Sequence, residues 1–354
     1  MKGLILSGGK GTRLRPITHT RAKQLIPVAN KPILFFGIEA MREAGVRDIG
    51  IVVGDTADEV MAAVGSGKRF GVKVSYIRQQ APLGLAHAVK ISADYLGDSP
   101  FVMYLGDNLI ANGITDLVKK FQKNAPDAMI LLAKVEHPER FGVAELKAGR
   151  VARLSEKPKK PRSDLALVGV YMFTSKIMKA VNSIRPSARG ELEITDAIQW
   201  MVERGLRVEP HLVEGWWKDT GRVEDLLEAN RIVLDKQETS VKGTVDKESQ
   251  VEFKVVIEKG ARVSRSVIRG PAIIGAGARI ENSYLGPFTS IDEGCRIEGS
   301  EIEHSIVLAG SVVRNMPRRI EDSLIGRDAV LECSRKRPEA LRFVLGENSQ
   351  VDLT

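Results

Sequence analysis

The chain contains little cysteine, few aromatic residues and no long apolar run. Its 354 residues include two cysteines, Cys295 and Cys333, too few for a disulfide framework or a cysteine-rich zinc site. The aliphatic run from Leu4 to Leu6 is too short for a signal peptide, and no later run approaches the roughly 20 residues that span a bilayer. We therefore expect a cytoplasmic protein without a membrane partner.

An excess of positive charge raises the question of nucleic-acid binding. The formal net charge is +8, but basic and acidic residues are interleaved along the chain. Aromatic residues make up 5% of the sequence, too few to provide stacking platforms for bases. The composition favours a solvated surface that also binds small anions, and no nucleic-acid partner is expected.

Residues 1–236 alternate between short aliphatic runs and longer amphipathic stretches. Strands are predicted at residues 2–6, 48–53, 72–77, 101–105 and 128–135, and helices at 33–44, 57–64, 86–95, 114–122 and 224–236. This alternation predicts an α/β, Rossmann-like, mostly parallel sheet with helices on both faces. Ligands of such sheets bind beyond the C-terminal ends of the strands. The polar residues 237–249 have no clear period, which indicates a linker.

Residues 250–354 have a different period and end in a C-terminal tail. Aliphatic residues recur at steps of six, six and five, so Val251, Ile268, Leu285 and Ile302 are each 17 residues apart. Three short strands per coil, each with one inward aliphatic residue, predict a parallel β-helix. The pattern resembles the left-handed β-helices built from hexapeptide repeats. An antiparallel sandwich would not keep so regular a spacing.

A glycine-rich loop follows the first predicted strand. Gly8, Gly9 and Gly11 would let backbone N–H groups approach a phosphate that a Cβ would block. The loop is not a Walker A motif, because Gly9 stands where the lysine belongs. It is not a dinucleotide fingerprint either, because the third glycine is missing. From the glycines alone, a tight turn without a ligand remains the alternative.

Further motifs identify a family that the loop resembles. They are Gly8 to Leu14, Ala22 to Val28, Gln79 to Ala86, Leu105 to Asn108, Phe141 to Val143, Glu156 to Pro158, Arg189 to Asp196, and Trp217 to Gly221. In this order they resemble the sugar-1-phosphate nucleotidylyltransferases, and within them the thymidylyl-transferring members that end in a β-helix. The resemblance spans nearly all of the first domain.

The resemblance implies a reaction between two anions. An oxygen of glucose-1-phosphate would attack the α-phosphorus of dTTP, giving dTDP-glucose and pyrophosphate. A phosphate monoester is already ionised at neutral pH, so the enzyme needs cations rather than a nucleophilic side chain. Asp107 and Asp219 match the family's magnesium ligands, and Mg²⁺ prefers such carboxylates. Either aspartate alone could equally form a turn or cap a helix.

The same resemblance assigns cationic and nucleotide-binding residues. Arg13 would bind the pyrophosphate portion, Lys23 the phosphate oxygens near the reacting centre, and Lys157 with Arg189 the phosphate of the sugar. The nucleotide-binding set comprises Leu6, Gly8, Gly9, Gly11, Thr12, Gln24, Gln79, Gly84 and Asp107. An amide such as Gln24 or Gln79 can offer both a donor and an acceptor to a pyrimidine.

For the sugar, Glu156 would accept hydrogen bonds from ring hydroxyls. The rest of this set comprises Leu85, Gly142, Lys157, Leu167, Glu191 and Trp217. Glu191 is the weaker member, because an acid there could instead serve a helix N-terminus.

Several alternatives remain open at this point. Uracil presents the same edge as thymine, so a UTP-using or dual-specificity enzyme is possible, as are amino-sugar phosphates. A non-catalytic regulatory subunit would not require the whole set of cations and carboxylates. For the β-helix, a scaffold for a homo-oligomer is favoured over acyl transfer, because His304 is the only histidine in the repeats.

Overall fold

The chain divides into two compact units that differ from the predicted domains. The computed structural model describes residues 1–9, 11–333 and 342–353. The first unit comprises Met1–Lys10, Arg21–Leu25 and Ile33–Asp219, and the second comprises Gly11–Thr20, Ile26–Pro32 and Thr220–Thr354. The division falls at residue 220, earlier than the predicted linker, and two N-terminal segments belong to the second unit. No described helix is long and apolar enough to cross a bilayer.

The five predicted helices are present close to their predicted positions, one of them broken in two, and α6 and α7 were not predicted. Within the described residues they are α1 (Ile33–Glu43), α2 (Ala57–Val64), α3 (Leu85–Ile91), α4 (Ala93–Leu96), α5 (Thr115–Asn124), α6 (Ile177–Ser183), α7 (Ile194–Glu203) and α8 (Val223–Asp235). Short 3₁₀ helices span Thr12–Leu14, Ile17–His19, Lys23–Leu25, Lys68–Phe70 and Pro138–Arg140. The predicted helix 86–95 is interrupted at Ser92, whose hydroxyl donates to the Ala88 carbonyl at 2.7 Å and so competes with the helical hydrogen bonds.

The strands up to residue 219 include all five that were predicted. They are β1 (Lys2–Ser7), β2 (Pro27–Val28), β3 (Lys31–Pro32), β4 (Asp48–Val53), β5 (Lys73–Arg78), β6 (Phe101–Leu105), β7 (Asn108–Ile110), β8 (Ala128–Lys134), β9 (Gly142–Lys147), β10 (Arg150–Glu156), β11 (Leu165–Phe173), β12 (Val208–Leu212) and β13 (Trp217–Asp219).

The first unit is built around a mixed sheet with the order β10-β9-β11-β6-β1-β4-β5, while β8 joins β11 to β12. Strands β6, β1, β4 and β5 are parallel, as predicted. Strand β11 is antiparallel to β6, β8 and β9. Strands β9 and β10 form a hairpin whose turn has positive φ at both Ala148 (49°) and Gly149 (74°), the geometry that matches strand twist.

Both faces of this sheet are buried. Along β1, Leu4 and Leu6 belong to one apolar cluster, and Ile5 between them belongs to another. A parallel strand buried on two faces reads as a continuous aliphatic run, which is why the first strand was predictable. With the faces covered, the carboxyl edge of β1, β4, β5 and β6 is left for the site.

The second unit contains the left-handed parallel β-helix. Its strands are β14 (Ser240–Val241), β15 (Thr244–Val245), β16 (Gln250–Glu252), β17 (Val255–Ile257), β18 (Arg262–Ser264), β19 (Val267–Arg269), β20 (Ala272–Ile274), β21 (Arg279–Glu281), β22 (Tyr284–Leu285), β23 (Thr289–Ile291), β24 (Arg296–Glu298), β25 (Glu301–Ile302), β26 (Ile306–Val307), β27 (Val312–Arg314), β28 (Leu324–Ile325) and β29 (Val330–Glu332). The predicted linker 237–249 is part of the coils, because β14 pairs with β17 and β15 with β18.

The inward aliphatic residues stack as the period predicted. Ile268 pairs with Leu285 and Leu285 with Ile302, and all three are fully buried. Serine adds a second ladder at one corner, since the backbone N–H of Ser283 donates to the Ser266 hydroxyl at 3.1 Å and that of Ser300 to the Ser283 hydroxyl at 3.2 Å.

A buried amide joins three elements of the second unit. The Asn230 Oδ1 atom accepts from the backbone N–H of Ala29 at 2.8 Å and from the Ser290 hydroxyl at 2.6 Å. Its Nδ2 donates to the Phe288 carbonyl at 2.9 Å. Helix α8, the hairpin of β2 and β3, and the coil at β23 are thereby held together, and Asn30 adds a bond to the Ile291 carbonyl at 2.8 Å.

Candidate active site

The carboxyl ends of four parallel strands in the first unit converge, and the glycine loop lies among them. A Cβ on Gly54, after β4, would lie 3.1 Å from the Gly8 carbonyl oxygen. A Cβ on Gly8, after β1, would lie 3.1 Å from Gln79 Oε1, after β5. The loop therefore packs with its backbone against the neighbouring strand ends, where a side chain on Gly8 or Gly54 would be crowded.

Lys23 and Asp107 form an ion pair at this edge. A Cβ on Gly9 would lie 3.3 Å from Lys23 Cε, so the loop, the lysine and the aspartate that follows β6 are neighbours. Burial alone would raise the pKa of Asp107, but the charge and hydrogen bond of Lys23 hold it below its usual value. The carboxylate therefore stays ionised although it is only 8% exposed.

Asn108 connects the ion pair to two other strands. Its Nδ2 donates to Asp107 Oδ1 at 3.0 Å. Its Oδ1 accepts from the Gly169 backbone N–H at 3.2 Å and from Trp217 Nε1 at 2.6 Å. Sequence reasoning placed Asn108 in a motif without giving it a role, because its partners in β11 and β13 are distant in the chain.

Strand pairing places Asp219 one residue along from Asp107. In the antiparallel pair of β7 and β13, Asn108 lies opposite Asp219, and Asp107 directly precedes Asn108. Among the described residues no group of three or more His, Cys, Asp or Glu side chains is placed to hold a metal. Two carboxylates completed by phosphate oxygens and water fit a magnesium-type ion. The Lys23 ammonium beside Asp107 shows that this position accommodates a cation.

The two candidate base-recognition glutamines are both buried. Gln79 is 9% exposed, and its Nε2 lies 3.3 Å from the Gly84 carbonyl. Gly84 has a φ of 103°, and a Cβ there would lie 2.4 Å from the Leu192 carbonyl, so only glycine fits. Gln24 is 1% exposed, and no described residue bonds to its Oε1. Such an unpaired buried acceptor is costly unless a ligand or water donates to it.

Most of the predicted sugar-binding residues come together around Gly142. A Cβ there would lie 2.6 Å from Thr195 Cγ2, 3.2 Å from Glu156 Oε2 and 3.5 Å from Leu167 Cδ1. The Thr195 hydroxyl donates to Glu156 Oε2 at 3.2 Å. Burial, reinforced by the charge of Glu193, raises the pKa of Glu156 above its usual value. Thr195 was not predicted as a site residue.

Arg189 lies among three carboxylates. Its guanidinium is 2.7 Å from Glu191 Oε2, 3.3 Å from Glu193 Oε1 and 3.6 Å from Glu156 Oε1. Glu193 is almost fully buried and also accepts from the Ser187 hydroxyl at 2.8 Å. Glu193 was not a predicted site residue. The sequence feature that could have identified Glu193 was its position close to Arg189 and Glu191. That position is equally typical of an acidic residue at a helix N-terminus.

Lys157 and Trp217 each contact Phe141. The Phe141 and Trp217 rings meet edge to face at 5.4 Å, and the Lys157 backbone N–H donates to the Phe141 carbonyl at 3.0 Å. Lys157 has a φ of 39°, a strained conformation for a residue with a side chain. Its Nζ is 3.9 Å from Glu156 Oε1, which places the lysine at the sugar-binding cluster.

The remaining predicted residues are placed differently. Leu6 packs in the core, and its carbonyl accepts from the Gly106 N–H at 2.9 Å, so its side chain does not line the site. Leu85 opens α3. Gly11, Thr12 and Arg13 belong to the second unit, where Thr12 and Arg13 are exposed.

Comparison with known proteins first defines the class. A model of the nucleotidyl transferase family matches residues 2–236, and the chain belongs to this family. Its enzymes generally use a divalent metal. The resemblance inferred from the motifs is confirmed.

The relatives define the class more narrowly. Glucose-1-phosphate thymidylyltransferases of Streptomyces antibioticus and Streptomyces griseus are 57% and 55% identical over 355 residues, covering 100% of this chain and 99% and 100% of those proteins. A crystal structure of a Bacillus anthracis protein described as a glucose-1-phosphate thymidylyltransferase, in complex with sucrose, matches with a TM-score of 0.64 and 37% identity, covering 68% of this chain and 98% of that one.

Proposed function

We propose that the chain is a glucose-1-phosphate thymidylyltransferase, which joins dTTP and glucose-1-phosphate to give dTDP-glucose and pyrophosphate. One observation carries the proposal: the glycine loop, Lys23, Gln79 and Asp107 meet at one edge of the sheet. The two Streptomyces relatives that align with the whole chain carry that name.

The chemistry needs charge neutralisation rather than a nucleophilic side chain. One oxygen of the sugar phosphate forms a bond to the α-phosphorus of dTTP while the bond to pyrophosphate breaks. Lys23 stabilises the phosphate oxygens near this centre, and Arg13 binds the departing pyrophosphate. Lys157 and Arg189 hold the incoming sugar phosphate, so that its attacking oxygen is oriented before the reaction.

We assign the metal as Mg²⁺, held by Asp107 and Asp219. When bound, it would supply positive charge to the phosphate oxygens and lower the cost of bringing two anions together. With the ion bound there, Lys23 would be able to pair with a phosphate oxygen instead of Asp107. Chelation with EDTA should abolish turnover and added Mg²⁺ should restore it, whereas full activity in EDTA would contradict the assignment.

For the nucleotide, the loop residues Gly8, Gly9, Gly11 and Thr12 would contact phosphate and ribose through the backbone. Gln24 and Gln79 would bind the thymine edge, and Gly84 would let the base approach closely. Uracil differs from thymine by one methyl group, worth about 1–3 kcal/mol in an apolar pocket. We therefore expect UTP to be used with a kcat/KM about 10-fold to 200-fold lower than that of dTTP.

For the sugar, Glu156 would accept hydrogen bonds from ring hydroxyls, and backbone groups near Gly142 and Leu167 would complete the pocket. Leu85 and Trp217 would form apolar walls. Glu191 would share this cluster through its bond to Arg189.

The deciding experiment measures pyrophosphate release for dTTP and UTP against a panel of sugar-1-phosphates that includes galactose and N-acetylated amino sugars. The highest kcat/KM is expected for dTTP with glucose-1-phosphate. Faster turnover with UTP or an amino-sugar phosphate would favour the uridylyl alternative. No turnover with any pair in Mg²⁺ would favour a regulatory subunit.

The β-helix supports a proposal about assembly. Stacked coils offer extended flat faces to a second subunit, and we propose a homo-oligomer. We also propose a cytoplasmic location, because two cysteines suit a reducing compartment. Light scattering after gel filtration should give a mass of at least twice 38.8 kDa; the mass of a single chain would contradict the oligomer.

A further inference from the structure

The Gln79 carboxamide is held in one orientation by two acceptors. Its Nε2 is 3.3 Å from the Gly84 carbonyl oxygen and 3.0 Å from His87 Nδ1. A backbone carbonyl only accepts hydrogen bonds, so the amide atom that faces Gly84 must be the nitrogen. Both N–H groups of Gln79 are therefore directed to the protein and not to a ligand.

The same geometry defines the state of His87. Because the Gln79 nitrogen donates, His87 Nδ1 must accept, and the neutral ring then carries its proton on Nε2. Burial, with a smaller contribution from Lys90, lowers the pKa of His87, which favours this neutral form. The position of the His87 ring is supported by helix α3, whose first turn is anchored by the Ala86 N–H donating to the Leu192 carbonyl at 3.0 Å.

The opposite side of the carboxamide faces the glycine loop. Gln79 Oε1 lies 3.1 Å from the position that a Cβ on Gly8 would occupy. Gln79 can therefore present only an acceptor at the loop. This differs from the expectation that its amide offers both a donor and an acceptor to the base.

Resting on the proposed function, we propose that His87 is a positioning residue that determines base specificity through Gln79. By fixing the Gln79 oxygen toward the loop, His87 makes the site select pyrimidines that carry an N3–H group. Thymine and uracil have this donor. Cytosine has an acceptor at N3, which would oppose the Gln79 oxygen.

Two variants separate this role from a packing role. His87→Leu removes the acceptor, whereas His87→Asn keeps an oxygen close to the position of Nδ1. For His87→Leu we expect the KM for dTTP to rise about threefold to tenfold, with kcat changed less than twofold, and the preference for dTTP over dCTP to fall by a similar factor. His87→Asn should restore both values to within about twofold of the wild type.

A spectroscopic measurement on the wild-type chain tests the same inference without a variant. Long-range ¹H–¹⁵N correlation spectra should show His87 with its proton on Nε2, and the signal missing from His87→Asn identifies it among the five histidines. An Nδ1–H tautomer, or a His87→Leu variant with unchanged KM and base preference, would overturn the proposal. A wild-type chain that does not turn over dTTP would refute the proposed function instead, while the tautomer result would still decide the hydrogen bond.

Discussion

Adding one methyl group at Gly142 is a sharp test of the sugar-binding cluster. Gly142→Ala places a Cβ 2.6 Å from Thr195 Cγ2 and 3.2 Å from Glu156 Oε2. The first distance is too short for any real contact, so Thr195 must move. Its hydroxyl, which donates to Glu156 at 3.2 Å, is then displaced from the carboxylate that we expect to bind the sugar.

The size of the effect follows from the cost of overpacking. Inserting a methylene into a packed region costs about 1–3 kcal/mol. If the full overpacking cost raises the free energy of the transition state, kcat/KM for glucose-1-phosphate falls by a factor of about 5 to 150. The KM for dTTP should stay within about twofold, because the atoms that a Cβ on Gly142 would meet belong to the sugar-binding cluster. Initial rates with each substrate varied in turn measure both quantities.

A matched variant isolates the methyl–methyl clash. Thr195→Ser removes Cγ2 but keeps the hydroxyl that bonds to Glu156, so alone it should change kcat/KM less than about threefold. Combined with Gly142→Ala, it should recover most of the lost activity, a positive coupling in a double-mutant cycle. If the double variant is no more active than Gly142→Ala, the clash with Thr195 is not the cause and the described geometry is wrong there.

Three further predictions concern other residues. Asp219→Asn should lower turnover by a factor of more than 100 with a small change in Tm; equal losses of activity and stability would indicate a structural aspartate. Lys23→Met should lower the free energy of unfolding by about 3–5 kcal/mol at pH 8, because it removes the Lys23 ammonium that pairs with the buried Asp107 carboxylate. In the wild type, Lys23 lowers the pKa of Asp107 below that of an ordinary aspartate. The ion pair therefore stabilises the fold fully at pH values above the ordinary aspartate pKa. This stabilisation is lost as the pH falls through the lowered pKa of Asp107. In Lys23→Met the Asp107 carboxyl can become neutral by taking up a proton, so the loss of unfolding free energy, measured with urea, should be smaller at pH 5 than at pH 8. Equal losses at both pH values would argue against the ion pair. Asn230→Ala should cost about 1–3 kcal/mol for each buried group left without a partner, and an unchanged Tm would contradict its central position in the second unit.

The repeats were the most predictable part of the fold. Each strand of the β-helix contributes one inward side chain, so a local period in the sequence carries the whole architecture. Ser266 and Ser283 follow the same 17-residue spacing but were not predicted to bond, because aliphatic residues alone defined the period. The sequence pattern also could not predict that β11 runs antiparallel to its neighbours, because a buried aliphatic run does not distinguish parallel from antiparallel pairing.

Residues within the recognised motifs could be predicted as site residues, whereas contacts between residues distant in the chain could not. The resemblance placed Lys23 and Asp107 in the reaction, yet their ion pair joins residues 84 positions apart. Glu193 was missed because a buried acid before a helix reads as a terminus residue until Arg189 is seen beside it. His87 was missed because its importance depends on which Gln79 atom it faces.

The hairpin of β2 and β3 has a consequence for the order of synthesis. Residues 26–32 leave the ribosome early, but their partners Asn230 and Ile291 are translated more than 200 residues later. The hairpin can pair its own two strands early, but its bonds to Asn230 and Ile291 must wait until helix α8 and the coils emerge. A stalled or truncated nascent chain would therefore expose it, and long-range closure of this kind slows folding.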